Sequence, residues 1–248
     1  MSDQQDSVSP ATDRVTVPTD DGPMRIYAAR PAVPADRAVV VLQEAFGVTD
    51  HIQDITRRFA ARGYLALAPD LFHRNGVATL PYDQHAEAMR LIGAIGPEAI
   101  AIDVGAVLTH LAGSEGVPVA RAAVTGFCFG GWAAFTAATA IGGLAAAVVF
   151  YGPGIAAGPR AVLDRAKSIE APILLHVGAE DPAIPAGQVA AIEAALREAG
   201  VDFESYVYEG AGHAFARDAG PDMYRAGPAR TAWERTYAFL DRRLPRAS

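Results

Sequence analysis

The sequence predicts an α/β fold built on a mostly parallel central sheet with helices on both faces. Three observations carry this. Strand-length apolar runs such as Ala38 to Leu42, "AVVVL", are hydrophobic on both faces, as expected where a strand is covered on each side. Such runs alternate with amphipathic or small-residue helical segments along most of the chain, the order of repeated β-to-α units. Pro and Gly are spread over the connections rather than gathered in one linker, so no domain boundary is expected inside the chain.

The elements follow in order. Residues 1–13 are polar and acidic and are expected to be a flexible leader, with residues 14–248 forming one domain. Residues 14–17 and 24–29 alternate around a Thr19-Asp20-Asp21-Gly22-Pro23 turn and start the sheet with a small antiparallel pair. After the covered strand at 38–42, residues 50–62 read as a helix capped by Asp50, with Ile52, Ile55 and Phe59 as its apolar stripe and Gly63 closing it. Strands are expected at 64–68, 121–127, 145–150, 172–177 and 203–208. Helices are expected at 83–92, 98–111, 131–141, 160–169, 186–199 and 225–240. Only about ten residues separate Phe150 from the next helix, which leaves little chain for a large cap.

Composition narrows the function. The 248 residues carry 21 basic and 28 acidic side chains, a formal charge of -7, with no Lys or Arg run; a phosphate-tracking surface for nucleic acid is not expected. The first residues lack the basic start and apolar centre of a secretory signal, and no apolar segment reaches membrane-spanning length. A cytoplasmic location is the resulting expectation, with no membrane partner. A single cysteine excludes an internal disulfide and thiolate clusters, and the histidines show no H-x-x-x-H pairing, so a catalytic metal is not expected.

That cysteine stands in "VTGFCFGG", residues 124–131, with Gly126 and Gly130 flanking Cys128 in a Gly-x-nucleophile-x-Gly arrangement. A strand-to-helix elbow needs glycine there because the chain doubles back on itself. Cys128 would supply sulfur, and the Phe129 N–H would face the oxygen of an attacked carbonyl. The competing reading is a small buried thiol among glycines that merely allow close packing.

In hydrolases of this topology the acid and then the histidine follow the nucleophile, each at a strand end. His213, after "FESYVYEG", fits the base, and Asp181, after "PILLHVGAE", fits the acid that orients it; Glu180 and Asp218 are alternatives. His176, inside an apolar strand, reads as a hydrogen-bonded core residue, whereas His73 follows a strand end and is a candidate for the pocket.

These segments, with "VVVLQEAFGVTDHIQDITRRFAARGYLALAPDLFHR", "HVGAEDPAIP" and "EGAGHAFAR", resemble the dienelactone hydrolase family of the α/β-hydrolase superfamily. The resemblance covers nearly the whole chain after the leader and implies a nucleophile, acid and base at Cys128, Asp181 and His213. It implies that Glu44 controls the cysteine's protonation, that Ala45 supplies a second oxyanion-hole N–H beside Phe129, and that Arg217, four residues after the histidine, binds a substrate carboxylate. Tyr151 and Phe46 match positions near the family pocket. A second carboxylate-binding arginine is harder to place: Arg74 is the nearest candidate, with His73, Tyr82 and Arg90 as other contributors. Ala214 departs from the serine common after the histidine.

The resulting expectation is a cofactor-free, cysteine-dependent hydrolase of small activated esters or enol lactones that carry a carboxylate. A thiolate is itself a good leaving group, which favours substrates that expel a stabilised enolate or phenolate. The alternatives are a carboxylesterase or thioesterase acting on neutral esters and, from another class, a non-catalytic anion-binding or redox-responsive protein.

Overall fold

The computed structural model describes residues 9–246. Eight strands form one sheet in the order β1-β2-β4-β3-β5-β6-β7-β8. Strands β1 (Ala11–Thr19) and β2 (Gly22–Arg30) pair antiparallel, and β2 joins β4 (Leu65–Pro69) antiparallel. The remaining neighbours, β3 (Ala38–Leu42), β5 (Ala122–Phe127), β6 (Ala146–Phe150), β7 (Ile173–Gly178) and β8 (Phe203–Tyr208), all run parallel to one another and to β4.

Period-two alternation explains the layers. Val39 and Val41 point into one core with Ile52, Ile55 and Phe59 of α1 (Asp50–Ala61) and Ala232 and Phe239 of α6 (Ala226–Arg243). Val40 and Leu42 point into the other, against Leu91 of α2 (His85–Gly93), Val104 and Val107 of α3 (Pro97–Ser114), Phe135 of α4 (Phe129–Ala140) and Ile192 of α5 (Ala186–Glu198). Central strands β3 to β7 therefore bury every residue, which is why their sequences are apolar on both faces. No helical domain interrupts the path from β6 to β7, which crosses only a 3-10 turn at Leu163–Ser168, in keeping with the absence of a large cap.

Several boundaries differ from expectation for physical reasons. Residues 1–8 of the expected leader lie outside the described residues, but Ala11, Thr12 and Asp13 belong to β1 and pair with Arg30, Ala29 and Ala28. Their side chains are exposed, so backbone pairing and an ion pair from Arg30 to Asp13 hold them, and no hydrophobic pattern announces the strand. Asp50 does not cap α1: Thr49 occupies the N-cap, with no side-chain capping bond, and Asp50 sits in the first turn, where its charge complements the helix dipole. The helix expected at 160–169 is the short 3-10 turn. Pro97 opens α3 at its first turn, the one helical position where a missing N–H is harmless, so α2 and α3 are separate helices. Among the described residues no single helix is long and apolar enough to cross a membrane.

Candidate active site

The C-terminal ends of β3, β5, β6, β7 and β8 bring the chemistry-bearing residues to one edge of the sheet, as open α/β sheets do. Strand β5 ends at Phe127 and α4 begins at Phe129, leaving Cys128 alone at the bend with φ 55° and ψ -118°. The Cys128 N–H donates to the Phe150 carbonyl at 3.1 Å, while its own carbonyl accepts from Gly131 at 2.8 Å. The turn is compressed: a Cβ on Gly126 would lie 1.9 Å from the Gly130 carbonyl oxygen, and one on Gly130 would lie 2.2 Å from that of Leu42. No larger residue fits either position. The same approach pins the turn after β3, which carries Glu44 and Ala45, against the start of α4.

His213 and Asp181 meet from the ends of β8 and β7. The Asp181 Oδ2 lies 2.7 Å from His213 Nδ1, and its Oδ1 accepts the Ala183 N–H at 2.9 Å. The Asp181 side chain is fully buried. Burial alone would lower the proton affinity of His213, but its hydrogen bond to Asp181 and its interactions with the Cys128 sulfur raise it to about 10. Glu180 is exposed, and Asp218 accepts from Arg58 at 2.5 Å with His51 Nδ1 3.4 Å away. Neither alternative carboxylate is bonded to His213.

Glu44 is 2% exposed, and burial pushes its carboxyl up to about 7 despite the opposing charge of Arg217, a hydrogen bond from Tyr82 and the charge of His213. The Tyr82 hydroxyl donates to Glu44 Oε2 at 3.2 Å, and the Arg217 guanidinium lies 4.3 Å from the Tyr82 ring centroid. No carboxylate forms an ion pair with Arg217 among the described residues. Phe46 packs on Tyr82 with ring centroids 4.8 Å apart, making an apolar wall. Tyr151 is buried with φ 38°, its hydroxyl has no partner, and its ring meets His213 edge-on at 5.4 Å. Ala214, beside His213, also has a positive φ, 55°.

Arg74 and His73 are not brought to this cluster. The Arg74 guanidinium forms two bonds to Asp103 of α3, at 2.6 and 2.8 Å, and one to Asp21 at 2.7 Å. His73 Nε2 lies 3.1 Å from the same fully buried Asp103. A buried carboxylate holds both, so their expected substrate contacts are replaced by a structural one. Arg90 pairs with Glu87 on the surface. His176 bridges Tyr208 at 2.9 Å and Thr236 at 3.0 Å inside the core, as its setting predicts. Arg160, which the sequence did not single out, lies with its guanidinium 5.4 Å from the Phe129 ring centroid. Following Pro159, it reads in sequence as the start of a helix, and nothing local marks it.

A cavity of about 560 Å³ lined by Arg14, Arg25, His51 and Tyr82 touches the far side of this cluster. It contains neither Cys128 nor His213, so the chemistry lies at the strand ends beside this hollow and not in it.

Residues 24–244 match the family model described as the dienelactone hydrolase family. A protein of Yersinia pestis provisionally named carboxymethylenebutenolidase is 36% identical over 226 residues, spanning 89% of this chain and 84% of its own. A relative of the same provisional name from Escherichia coli K12 is 37% identical over 229 residues, covering 89% and 83%. The crystal structure of a provisional dienelactone hydrolase from Klebsiella pneumoniae superposes with a TM-score of 0.82 at 32% identity, covering 94% of this chain and 99% of that one. With a model match across nearly the whole described chain and relatives above 30% identity, the chain belongs to the dienelactone hydrolase family of the α/β-hydrolase superfamily and is a carboxylic ester or lactone hydrolase of that type.

Proposed function

We propose that the chain is a cysteine-dependent hydrolase of small activated esters or enol lactones that carry a carboxylate, with Cys128 as nucleophile, His213 as base and Asp181 as its orienting acid. The observation that carries this reading is the His213 imidazole, bonded to Asp181 at 2.7 Å and raised in proton affinity partly by the Cys128 sulfur. Such a pairing favours a thiolate beside an imidazolium.

In this mechanism the substrate carbonyl oxygen lies under the Ala45 and Phe129 N–H groups. The Cys128 sulfur attacks, a C–S bond forms, and the C–O bond to the leaving oxygen breaks as that oxygen or its conjugated carbon takes the proton from His213. Water then gives a proton to His213 and attacks the thioester; the C–S bond breaks and the thiol recovers its proton. Each step is charge-balanced without a further reactant.

Arg217 supplies the preference for an anion. Its guanidinium is held over Tyr82 without a carboxylate partner and presents a fork suited to one. Its charge also holds the proton affinity of Glu44 down. When a substrate carboxylate neutralises Arg217, Glu44 becomes more ready to take a proton. Tyr151 and Phe46 shape the pocket around the acyl group.

The test is hydrolysis of a carboxylate-bearing dienelactone, followed by loss of its ultraviolet absorbance, in wild type, Cys128→Ala and Arg217→Ala. Turnover that vanishes in the first variant and falls sharply in the second is the expected result. Folded wild-type protein that leaves the lactone intact but cleaves neutral aryl esters would remove the anionic assignment.

A further inference from the structure

Two cations without carboxylate partners among the described residues stand on segments next to the candidate triad: Arg217 four residues after His213, and Arg160 over the helix that begins just after Cys128. Arg217 stacks on Tyr82. Arg160, from the loop after β6, lies over the rings of Phe129 and Trp132, with its guanidinium carbon 5.4 and 4.9 Å from their centroids. Phe129 directly follows Cys128, and its ring stacks on Trp132 at 5.5 Å, so the platform under Arg160 is the first turn of the helix that carries the elbow.

Arg160 is held in place by its backbone and by one of its nitrogens. The Trp132 indole N–H donates to the Arg160 carbonyl at 2.9 Å, and one guanidinium nitrogen donates to the Ile92 carbonyl at 3.1 Å. Its other N–H groups have no acceptor among the described residues, and none of its nitrogens is among the sealed, unpaired atoms. They border a groove of about 260 Å³ between the end of α2 and the loop at 153–160, with Met89, Ile92, Pro153 and Ala157 on its walls. Burial disfavours the charged form of Arg160, and the neighbour that opposes this is Cys128. A partly desolvated guanidinium with open donors and no built-in anion is a binding site for one from outside.

We propose that Arg160 is a second anion anchor of the Cys128 site, so that the preferred substrates are dianionic: activated esters or lactones with one carboxylate at Arg217 and another, on the opposite side of the scissile carbonyl, at Arg160. This rests on Cys128 being the nucleophile. The two arginines then also hold the reacting carbonyl from both ends, which fixes its approach to sulfur.

The test uses four 4-nitrophenol-derived esters: the acetate, the hemiglutarate, the acetate of 3-carboxy-4-nitrophenol, and the hemiglutarate of that carboxyphenol. Arg160→Met is expected to lower kcat/KM on the dianionic ester by about 10- to 100-fold more than on the neutral acetate, mainly through KM, the range expected for a charged hydrogen-bond partner. Arg160→Lys, which keeps the charge and loses the fork, should recover part of the loss. An equal loss on all four esters, or a change in the pH dependence of Cys128 alkylation by iodoacetamide that tracks the loss, would overturn the proposal and make Arg160 a support for the thiolate. Acetate hydrolysis that survives Cys128→Ala would instead remove the nucleophile assignment, a failure visible before any Arg160 variant is made. An unchanged thermal midpoint in Arg160→Lys keeps the comparison valid if Arg160→Met folds poorly.

Discussion

The hydroxyl of Tyr82 donates to Glu44 Oε2 across 3.2 Å, while the ring that bears it supports the Arg217 guanidinium. One side chain thus touches both the buried carboxyl and the cation that governs its charge.

Loss of the hydroxyl in Tyr82→Phe removes a bond that favours ionised Glu44. One hydrogen bond is worth about 1 kcal/mol, so the pH at which Glu44 titrates should rise by about half to one pH unit. The apparent pKa of kcat/KM on a carboxylate-bearing substrate reads this. Tyr82→Leu also removes the platform under Arg217 and should raise KM for that substrate by about 3- to 10-fold.

Asp181→Asn keeps the shape of the acid but not its charge. His213 then loses the main partner that raises it towards 10, and the imidazole no longer has its tautomer fixed. A fall in kcat of about 100- to 10,000-fold is expected, together with slower alkylation of Cys128 by iodoacetamide near neutral pH. Stopped-flow turnover and alkylation rates check the two effects separately.

Stability should decline as pH rises through neutrality. Glu44 is raised from 4.5 to about 7, so its contribution is fully present below 4.5 and lost as pH climbs to about 7. That gap corresponds to about 3 kcal/mol. His213, raised from 6.5 to about 10, acts in the same direction over a higher range. Glu44→Gln should therefore melt several degrees above wild type at pH 8 and lose that advantage at pH 4.5. Calorimetry at the two pH values decides it, and equal gains at both would refute the burial argument.

The glycines of the elbow and those of the helices should respond oppositely to alanine. At Gly130 the added carbon meets backbone oxygen at 2.2 Å, so Gly130→Ala should destabilise by more than about 4 kcal/mol and fail to yield soluble protein. At Gly105, inside α3, nothing lies within 4 Å of the new carbon, and Gly105→Ala should stabilise by about 0.5 to 1 kcal/mol. Soluble yield and thermal melts of the pair test both.

The sheet was legible because its central strands are buried on both faces, and five-residue apolar runs say so directly. The elbow was legible because glycine is compulsory on each side of Cys128; strand ends pointed to His213, whereas the choice of Asp181 over the adjacent Glu180 came from the family resemblance. What local sequence does not contain is a partner elsewhere in the chain. Asp103, on α3 and 29 residues from Arg74, takes both Arg74 and His73, and no spacing rule announces that. Arg160 was hidden for the complementary reason: its place is set by rings on α4 to which it is joined only by folding. The start of β1 was hidden because its exposed side chains carry no hydrophobic pattern, the pairing resting on the backbone and one ion pair to Arg30.

Cys128, Tyr151 and Ala214 are the non-glycine residues with positive φ among the described residues, and all three stand at strand ends around His213. Each such conformation costs about 1 to 2 kcal/mol that glycine would avoid. Selection for survival after heating alone would accordingly favour glycine at position 128, where little side chain is lost, whereas at position 151 the ring buried against Phe127, Phe150 and Phe215 outweighs the strain. A thermostabilisation campaign that selects for heat alone therefore exerts pressure on the proposed nucleophile itself, and gains sought at sites such as Gly105 avoid it.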